Sequence, residues 1–461
     1  MTPVPAHEAL FAELADLPAA ALLTGAAAGA AYAADATGNL MQPPLAVLRP
    51  ADTAELSRML AACHRLRLPV VVQGGRTGLS NGATPRRGEV ALCLDRMTAL
   101  APVDPVSATV VAEAGVSLQR VQEAAEAAGF GFGVDIGARG SATVGGLCAT
   151  NAGGLNVIRN GMTRAHVVSL EVVLADGRVL GHVRPLAKDN SGFDLKQLFI
   201  GSEGVLGIIS RVCLALRPPV GPLVTLFGAA PGIDTAGALL ARLRRDAGGP
   251  VTAFEVIDEA MFQRILALGH RPPVAPEGIQ ILAEIETADR DHVQELLMRA
   301  VEAGELSDVV LAASGAQRQA LWALREGCAE AVAAMAAPVG FDIGLPVAAM
   351  PDFLTETRAR LAAALPNAGI AVFGHLGDGN LHYIVDTDAP GEAARIVLGA
   401  VAAAGGTISA EHGLGREKAG YLPLVRSADE IAVMRAMKDA LDPAHILNPG
   451  RVLPPPTPLN D

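Results

Sequence analysis

A chain of 461 residues is longer than one ordinary hydrophobic core supports, and at 51% hydrophobic residues it has the material for two or three domains. Its formal net charge of -12 removes the electrostatic basis for binding nucleic acid or an anionic membrane surface, while a local basic pocket for a small anion stays compatible with it. The five cysteines, Cys63, Cys93, Cys148, Cys213 and Cys328, are scattered and form no CxxC pair, which argues against a disulfide framework or a thiolate metal site and fits a reducing compartment.

Along the chain, His7–Leu14 reads as a short helix followed by an Ala/Gly-rich connection. Leu17–Ala36 is apolar but interrupted by Thr24 and Asp35, and no Lys or Arg precedes Arg49, so neither a membrane span nor a basic leader is expected and the location expected is cytoplasmic. Thr53–Arg65 has helical spacing, Pro69–Val72 reads as a buried strand running into glycines, and Thr109–Ala112 as another strand. Ser117–Ala128 reads as a helix with Ser near its start. Gly131–Gly154 is too rich in Gly, Ala, Ser and Thr for an ordinary core. Val167–Leu174 before Asp176-Gly177 predicts a strand and hairpin turn. Leu195–Ser210 is apolar and broken by glycines. Arg217-Pro218-Pro219 marks a boundary. Beyond it come a helix at Thr235–Arg244, a strand near Val251–Val256, a helix at Val293–Ala303, a long helix at Gln317–Met335 and a Pro-rich tail at Pro454–Pro458. The pattern predicts two α+β domains in succession.

Three glycine loops carry the first chemistry. Gln73-Gly74-Gly75-Arg76-Thr77-Gly78 follows a strand, and its backbone N–H groups can approach a phosphate closely. Gly140-Ser141-Ala142-Thr143-Val144-Gly145-Gly146, running to Thr150-Asn151-Ala152-Gly153-Gly154, leaves room for a large ligand, and Gly201-Ser202-Glu203-Gly204 adds a third. Each alone also reads as a glycine turn. No GxGxxG or GxxxxGK[ST] occurs, so the Rossmann and P-loop fingerprints are missing.

The second constellation is Phe373-Gly374-His375-Leu376-Gly377-Asp378-Gly379-Asn380-Leu381-His382, set between apolar runs. A two-residue turn at Asp378-Gly379 predicts a hairpin in which His375 faces His382, with Cβ atoms roughly 4.5–5.5 Å apart. Such a pair can chelate one divalent metal or stack. Glu411, in Ser409-Ala410-Glu411-His412-Gly413, would complete a His₂Glu set with positions open for substrate, leaving His412 as a neighbouring base.

Taken in order, the three loops resemble the FAD domain of the vanillyl-alcohol oxidase / p-cresol methylhydroxylase superfamily, and GHLGDGNLH with AEHG resemble signatures of its D-2-hydroxyacid dehydrogenase branch, which includes D-2-hydroxyglutarate and D-lactate dehydrogenases. The similarity runs from about Pro44 to about Leu453. After the N-terminal helix and connection over 1–38, it implies a two-subdomain FAD-binding PCMH-type domain over 39–218 and an antiparallel-sheet α+β substrate and cap domain over 219–461. It assigns Gly74, Gly75, Thr77, Gly78, Ser141, Gly145, Gly146, Thr150, Asn151 and Gly204 to FAD, with Asn448 of Asn448-Pro449-Gly450, also a good turn, approaching the flavin. Arg76 stands where the family usually has Asn, and a guanidinium there can pair with phosphate. Asn160 stands where it often has Tyr. The His of covalently flavinylated members is missing, so the FAD expected is non-covalent.

The resemblance further assigns His375, His382 and Glu411 to a divalent metal, usually zinc, and His412 to proton abstraction as the substrate's hydride passes to the flavin. Trp322-Ala323-Leu324-Arg325-Glu326 matches its Trp-x-x-Arg-Glu motif, with Arg325 for the substrate carboxylate; read alone, Arg325 is equally a surface residue beside Glu326. Gly340, Ala329 and Ile384 replace the Lys, Thr and Asn usual in members acting on D-2-hydroxyglutarate, which points to a less polar, D-lactate-like acid. The implied partners are a small 2-hydroxy acid and an external electron acceptor such as an electron-transfer flavoprotein, a quinone or a cytochrome, with a homodimer as one oligomeric state found among members. An oxidase of the same fold using O₂, a non-catalytic flavin-binding subunit of a larger complex and a flavin-free metal-binding domain are the competing readings.

Overall fold

The computed structural model describes residues 6–38 and 42–454, and beyond Pro454 the expected Pro-rich tail lies outside them. The chain folds into two compact units: Met1–Gly154, Gly161–Pro219 and Glu411–Asp461 form the first, Leu155–Asn160 and Val220–Ala410 the second. Among the described residues no helix is long and apolar enough to cross a membrane.

The first unit holds two sheets. One runs in the order Leu22–Leu23, Val47–Leu48, Val90–Cys93, Val70–Gln73, with parallel pairing among the last three. The helix Thr53–Arg65 packs into the same core through Leu56, Met59, Leu60 and Cys63, the one-face spacing of an amphipathic helix. Asp52 caps it by accepting from the Glu55 N–H at 2.8 Å. The other sheet is antiparallel, in the order Thr109–Glu113, Ile208–Ala215, Val167–Val173, Val179–Gly181. Its last pair is the hairpin expected at Asp176-Gly177. The apolar stretch from Leu17 becomes short 3-10 turns at Ala19–Ala21, Gly25–Ala28 and Ala30–Tyr32.

One element of this unit escapes the sequence pattern. Val144–Thr150, expected as loop, is a helix capped by Thr143, whose hydroxyl accepts from the Gly146 N–H. Its residues are small because space demands it: a Cβ on Gly145 would lie 2.6 Å from the Ala114 methyl.

The second unit is a seven-stranded antiparallel sheet in the order Asp308–Leu311, Leu223–Ala230, Ile279–Glu286, Val251–Ile257, Gly369–His375, Asn380–Asp386, Pro338–Gly344. Helices Glu259–Ala267 and Gly315–Ala333 cover one face, joining Phe262, Ile265, Leu324 and Cys328 to Phe227, Leu282, Phe373 and Ile384. Sheets and helices in both units make the chain α+β.

By compactness, the last part of the substrate and cap domain expected over 219–461 groups with the first unit, which includes Glu411–Asp461. The reason is backbone pairing and burial. The Val70 N–H donates to the Ile446 carbonyl at 2.7 Å, the Asn448 N–H donates to the Val70 carbonyl at 2.8 Å, and Ile446 and Leu447 are buried in the core around Val70 and Val90.

The hairpin register is also different. His375 faces Asn380, and Phe373 faces His382. Leu376–Gly379 forms a four-residue connection in place of a two-residue turn, with Leu376 fully buried and the Gly377 N–H donating to the Phe254 carbonyl at 3.3 Å. A shift of two residues preserves which face each side chain occupies, so the two histidines stay on one face as diagonal neighbours.

Arg451 ties the returning segment in place. It is 1% exposed, makes two hydrogen bonds of 2.7 and 2.8 Å to the Glu89 carboxylate, and donates to the carbonyls of Gly82, Thr84 and Pro449. Arg451→Ala leaves Glu89 buried without its counter-charge and is expected to cost about 3–5 kcal/mol. Denaturant unfolding of the two proteins checks this, and a loss below about 1 kcal/mol contradicts the pairing.

Candidate active site

In the first unit a cavity of about 450 Å³ opens between the glycine loops. Gly74, Gly75, Arg76, Thr77, Gly78, Gly145, Gly146, Thr150, Gly204 and Asn448, expected at FAD, line it. Glu411 and His412 line it as well. Two predicted residues do not. Ser141 is exposed and turned from the cavity, and its backbone carbonyl lies where a Cβ on Gly75 would stand, 1.9 Å away. Asn151 ends the helix Val144–Thr150 in the left-handed conformation at φ 50°, where its side chain accepts from the Arg164 N–H at 2.9 Å. Ala142, Thr143 and Glu203 take their places in the wall.

The cavity's turns are held in left-handed backbone. Arg76 (φ 56°), Glu203 (φ 50°) and Asn448 (φ 41°) all adopt it without being glycine, a conformation that persists only where surroundings enforce it. Asn448 shows how: its side chain accepts from the Val72 N–H at 2.9 Å and donates to the Glu203 carbonyl at 2.5 Å. Arg76 directs its guanidinium over the Tyr32 ring, 5.2 Å from the centroid, and donates to the Cys93 sulfur at 3.3 Å. His412 is anchored through its backbone carbonyl, which accepts from the Ser80 hydroxyl at 2.9 Å, and Glu411 accepts from the Gly154 N–H at 3.2 Å.

In the second unit, strand register lines up a row of ionisable side chains across one sheet face. Glu255 is paired with His375 on the next strand, His382 sits diagonally beyond, and Asp342 is paired with His382. Glu255 Oε1 lies 2.6 Å from His375 Nδ1, the two imidazole centroids are 5.5 Å apart in an edge-to-face arrangement, and His382 Nδ1 lies 4.0 Å from Asp342 Oδ1. Each histidine therefore has a carboxylate on its outer side.

Arg325 joins this row from the helix Gly315–Ala333. It is 8% exposed, so the surface reading beside Glu326 is overturned. Its Nε donates to Glu255 Oε2 at 2.6 Å, and its guanidinium lies 4.9 Å from the centre of the Phe373 ring. Burial alone would push the Glu255 carboxyl up; the charges and hydrogen bonds of His375 and Arg325 outweigh that and hold it well below the usual range. Burial pushes the Asp378 carboxyl, in the connection after His375, up. The helix itself is fixed by Glu284, which receives Arg318 at 2.6 Å and the Trp322 indole N–H at 2.9 Å. The Gly377 carbonyl accepts from Arg244.

Sequence reasoning missed Glu255, Asp342 and Glu203. The signal for the first was a lone carboxylate in Val251–Ile257, whose residues are all buried. Such a carboxylate needs a partner.

Comparison with known proteins finds two family matches in succession along the chain. Residues 44–181 match the family described as "FAD binding domain", and residues 223–452 match "FAD linked oxidases, C-terminal domain". The chain is 38% identical over 95% of its length to a D-2-hydroxyglutarate dehydrogenase of Xanthomonas citri pv. viticola, covering 95% of that protein. It is 38% identical over 88% of its length to the mitochondrial D-2-hydroxyglutarate dehydrogenase of Arabidopsis thaliana, covering 75% of it. Among solved structures, 4-ethylphenol oxidase from Gulosibacter chungangensis shares the fold at a TM-score of 0.74 and 17% identity, with 98% of each chain covered. Similarity of this extent, with glycine loops lining one cavity, establishes that the chain belongs to the FAD-linked oxidase family.

Proposed function

We propose that this protein oxidises a D-2-hydroxy acid to the 2-keto acid, with His412 taking the hydroxyl proton beside bound FAD. The observation that carries the reading is the position of His412 on the wall of the glycine-lined cavity. A neutral imidazole placed there can accept a proton from a bound hydroxyl.

The cavity fits FAD. Val72, Leu94, Ile136 and Ile209 supply apolar wall, the glycines bring backbone N–H groups close, and Thr77 and Thr143 add hydroxyls. Gly78 lines the cavity, and a Cβ built on it meets no protein atom within 4 Å. Bound there, FAD supplies the hydride acceptor for the substrate Cα–H. The chain's own work is to hold the cofactor, shield it and present the base.

We assign His375 and His382, with Glu411, to a divalent metal of the zinc type. The second unit supports this through the carboxylates outside each imidazole. Glu255 engages His375 Nδ1, which gives Nε2 the ligand role, as an outer carboxylate does for metal-bound histidine. A metal there would lower the pKa of a coordinated hydroxyl. Arg325, its guanidinium oriented by Glu255 and Phe373, is assigned to the substrate carboxylate.

The substrate's side-chain end is assigned an apolar environment. Gly340 and Ile384 are directly paired on the face that carries His382 and Asp342, and Ala329 lies one helical turn beyond Arg325. A D-lactate-like acid suits these residues, while the relatives above are named for D-2-hydroxyglutarate. The electron acceptor is assigned to an external carrier.

Three measurements test the reading. Anaerobic addition of a D-2-hydroxy acid is expected to bleach the oxidised flavin band near ~450 nm, and the L-enantiomer to leave it. Bleaching by neither removes the assigned reaction, and faster bleaching by D-2-hydroxyglutarate than by D-lactate removes the apolar side-chain assignment alone. Gly78→Ala is expected to keep the melting temperature of the FAD-free protein and to weaken FAD by about tenfold or more, as read by titration of FAD into deflavinated protein. Equal affinity would show that this glycine does not face the cofactor. Glu255→Gln is expected to lower metal affinity about 10–100-fold in competition with a chelator. Unchanged metal content under that competition would take Glu255 out of the metal's surroundings.

A further inference from the structure

Glu203 lies in the wall of the FAD cavity with its backbone at φ 50°, and it has no role in the assignments above. Its main chain belongs to the cradle: the N–H donates to the Ala149 carbonyl at 2.8 Å, and the carbonyl accepts from the Asn448 side chain. Its carboxylate does something else. Oε1 accepts from the Leu414 N–H at 2.7 Å and Oε2 from the Gly415 N–H at 2.8 Å, two and three residues beyond His412.

The loop from Glu411 to Arg416 is also held by the Gly154 N–H on the Glu411 carboxylate, by the Val452 N–H on the Gly415 carbonyl at 2.9 Å, and by Ser80. Its hydroxyl donates to the His412 carbonyl at 2.9 Å, and its carbonyl accepts from the Arg416 N–H at 3.0 Å. Fit around both clamps is tight. A Cβ on Gly413 would stand 2.7 Å from Glu203 Oε1, and one on Gly415 would stand 2.0 Å from the Ser80 carbonyl oxygen. Both glycines have positive φ, 75° and 50°. A carboxylate on the cavity wall is thus one of the groups that set the loop's shape. Burial pushes that carboxyl up, and the two N–H groups draw it back toward the charged form.

We infer that Glu203 is a positioning residue for His412: its carboxylate holds the 412–415 loop so that the imidazole faces the reacting end of the cavity. The inference rests on the reading of His412 as the base. Side-chain substitution at 203 leaves the two backbone hydrogen bonds to the cradle in place, so cofactor binding and base positioning are separable.

The test is a double-mutant cycle on the FAD-loaded full-length protein, read as the single-turnover rate of anaerobic flavin reduction by the better of D-lactate and D-2-hydroxyglutarate. Glu203→Gln keeps shape and one acceptor oxygen but turns an N–H₂ toward a backbone N–H. It is expected to bind stoichiometric FAD with an unchanged visible spectrum, to keep the substrate's half-saturation concentration, and to reduce its flavin on the order of 10²-fold more slowly. Glu203→Ala is expected to show the same split. In a His412→Asn background, already slow, Glu203→Gln is expected to cost nothing more, because both act through one group. The inference is overturned if the two losses multiply, if Glu203→Gln is as fast as wild type, or if that variant cannot hold FAD, which would place the carboxylate in the cradle. A His412→Asn protein as fast as wild type fails differently: it removes the base assignment itself and this inference with it.

Discussion

The second unit is organised around one buried carboxylate. Glu255 is 1% exposed, in the middle of a strand, so its charge is sustained by the partners that surround it. One oxygen takes His375 and the other takes Arg325. This single group therefore fixes the tautomer and tilt of an imidazole on the neighbouring strand and the direction of a guanidinium on the covering helix. Arg325 in turn lies over Phe373, which is paired with His382. Removing Glu255 would disturb both histidines and the arginine at once, which is why the row across the sheet is best regarded as one device.

The first unit solves a different problem, that of bringing backbone close to a large cofactor. Glycine answers part of it. The rest is met by ordinary residues forced into left-handed turns at Arg76, Glu203 and Asn448. Such turns cost of order 1–3 kcal/mol each and survive where hydrogen bonds over-determine them. Asn448 is held by bonds to two other segments, at Val72 and Glu203, and so couples the first loop, the third loop and the returning C-terminal segment. The cavity's walls thus brace one another within the unit.

Much of this was legible in the sequence, for reasons that differ by element. Thr53–Arg65 announces itself by apolar residues at helical spacing, and that face is the one buried. The Asp378-Gly379 pair located the hairpin correctly but not its length, because the burial of Leu376 and the bond from Gly377 to Phe254 decide the connection, and both come from tertiary contact. The face assignment survived since the error was an even number of residues. Val144–Thr150 was illegible as a helix because packing against Ala114 had selected small residues over helix formers. Glu255 could be seen but not interpreted, its partners lying 70 and 120 residues away. The packing of Glu411–Asp461 with the first unit was illegible for the same reason: pairing between Val70 and Leu447 leaves no local trace.

Buried ion pairs recur beside the functional residues, and their energetics suggest what they are for. Arg451 with Glu89, Lys438 with Asp442, and Arg325 with Glu255 are all nearly inaccessible. Desolvation consumes most of what such pairs gain, so their net contribution to stability is small even though losing one partner is costly. That asymmetry makes them poor glue and good locks. Lys438 donates to the carbonyls of Val205 and Leu447, next to Glu203–Gly204 and to Asn448. Arg451 follows Asn448 by three residues, and Glu255 holds His375. An apolar cluster of equal volume would bury each site as well but would accept several arrangements. A charge that must meet its partner accepts one. Placing these pairs beside Asn448, Glu203 and His375 converts a modest energetic term into positional accuracy at the FAD cavity and along the histidine row of the sheet.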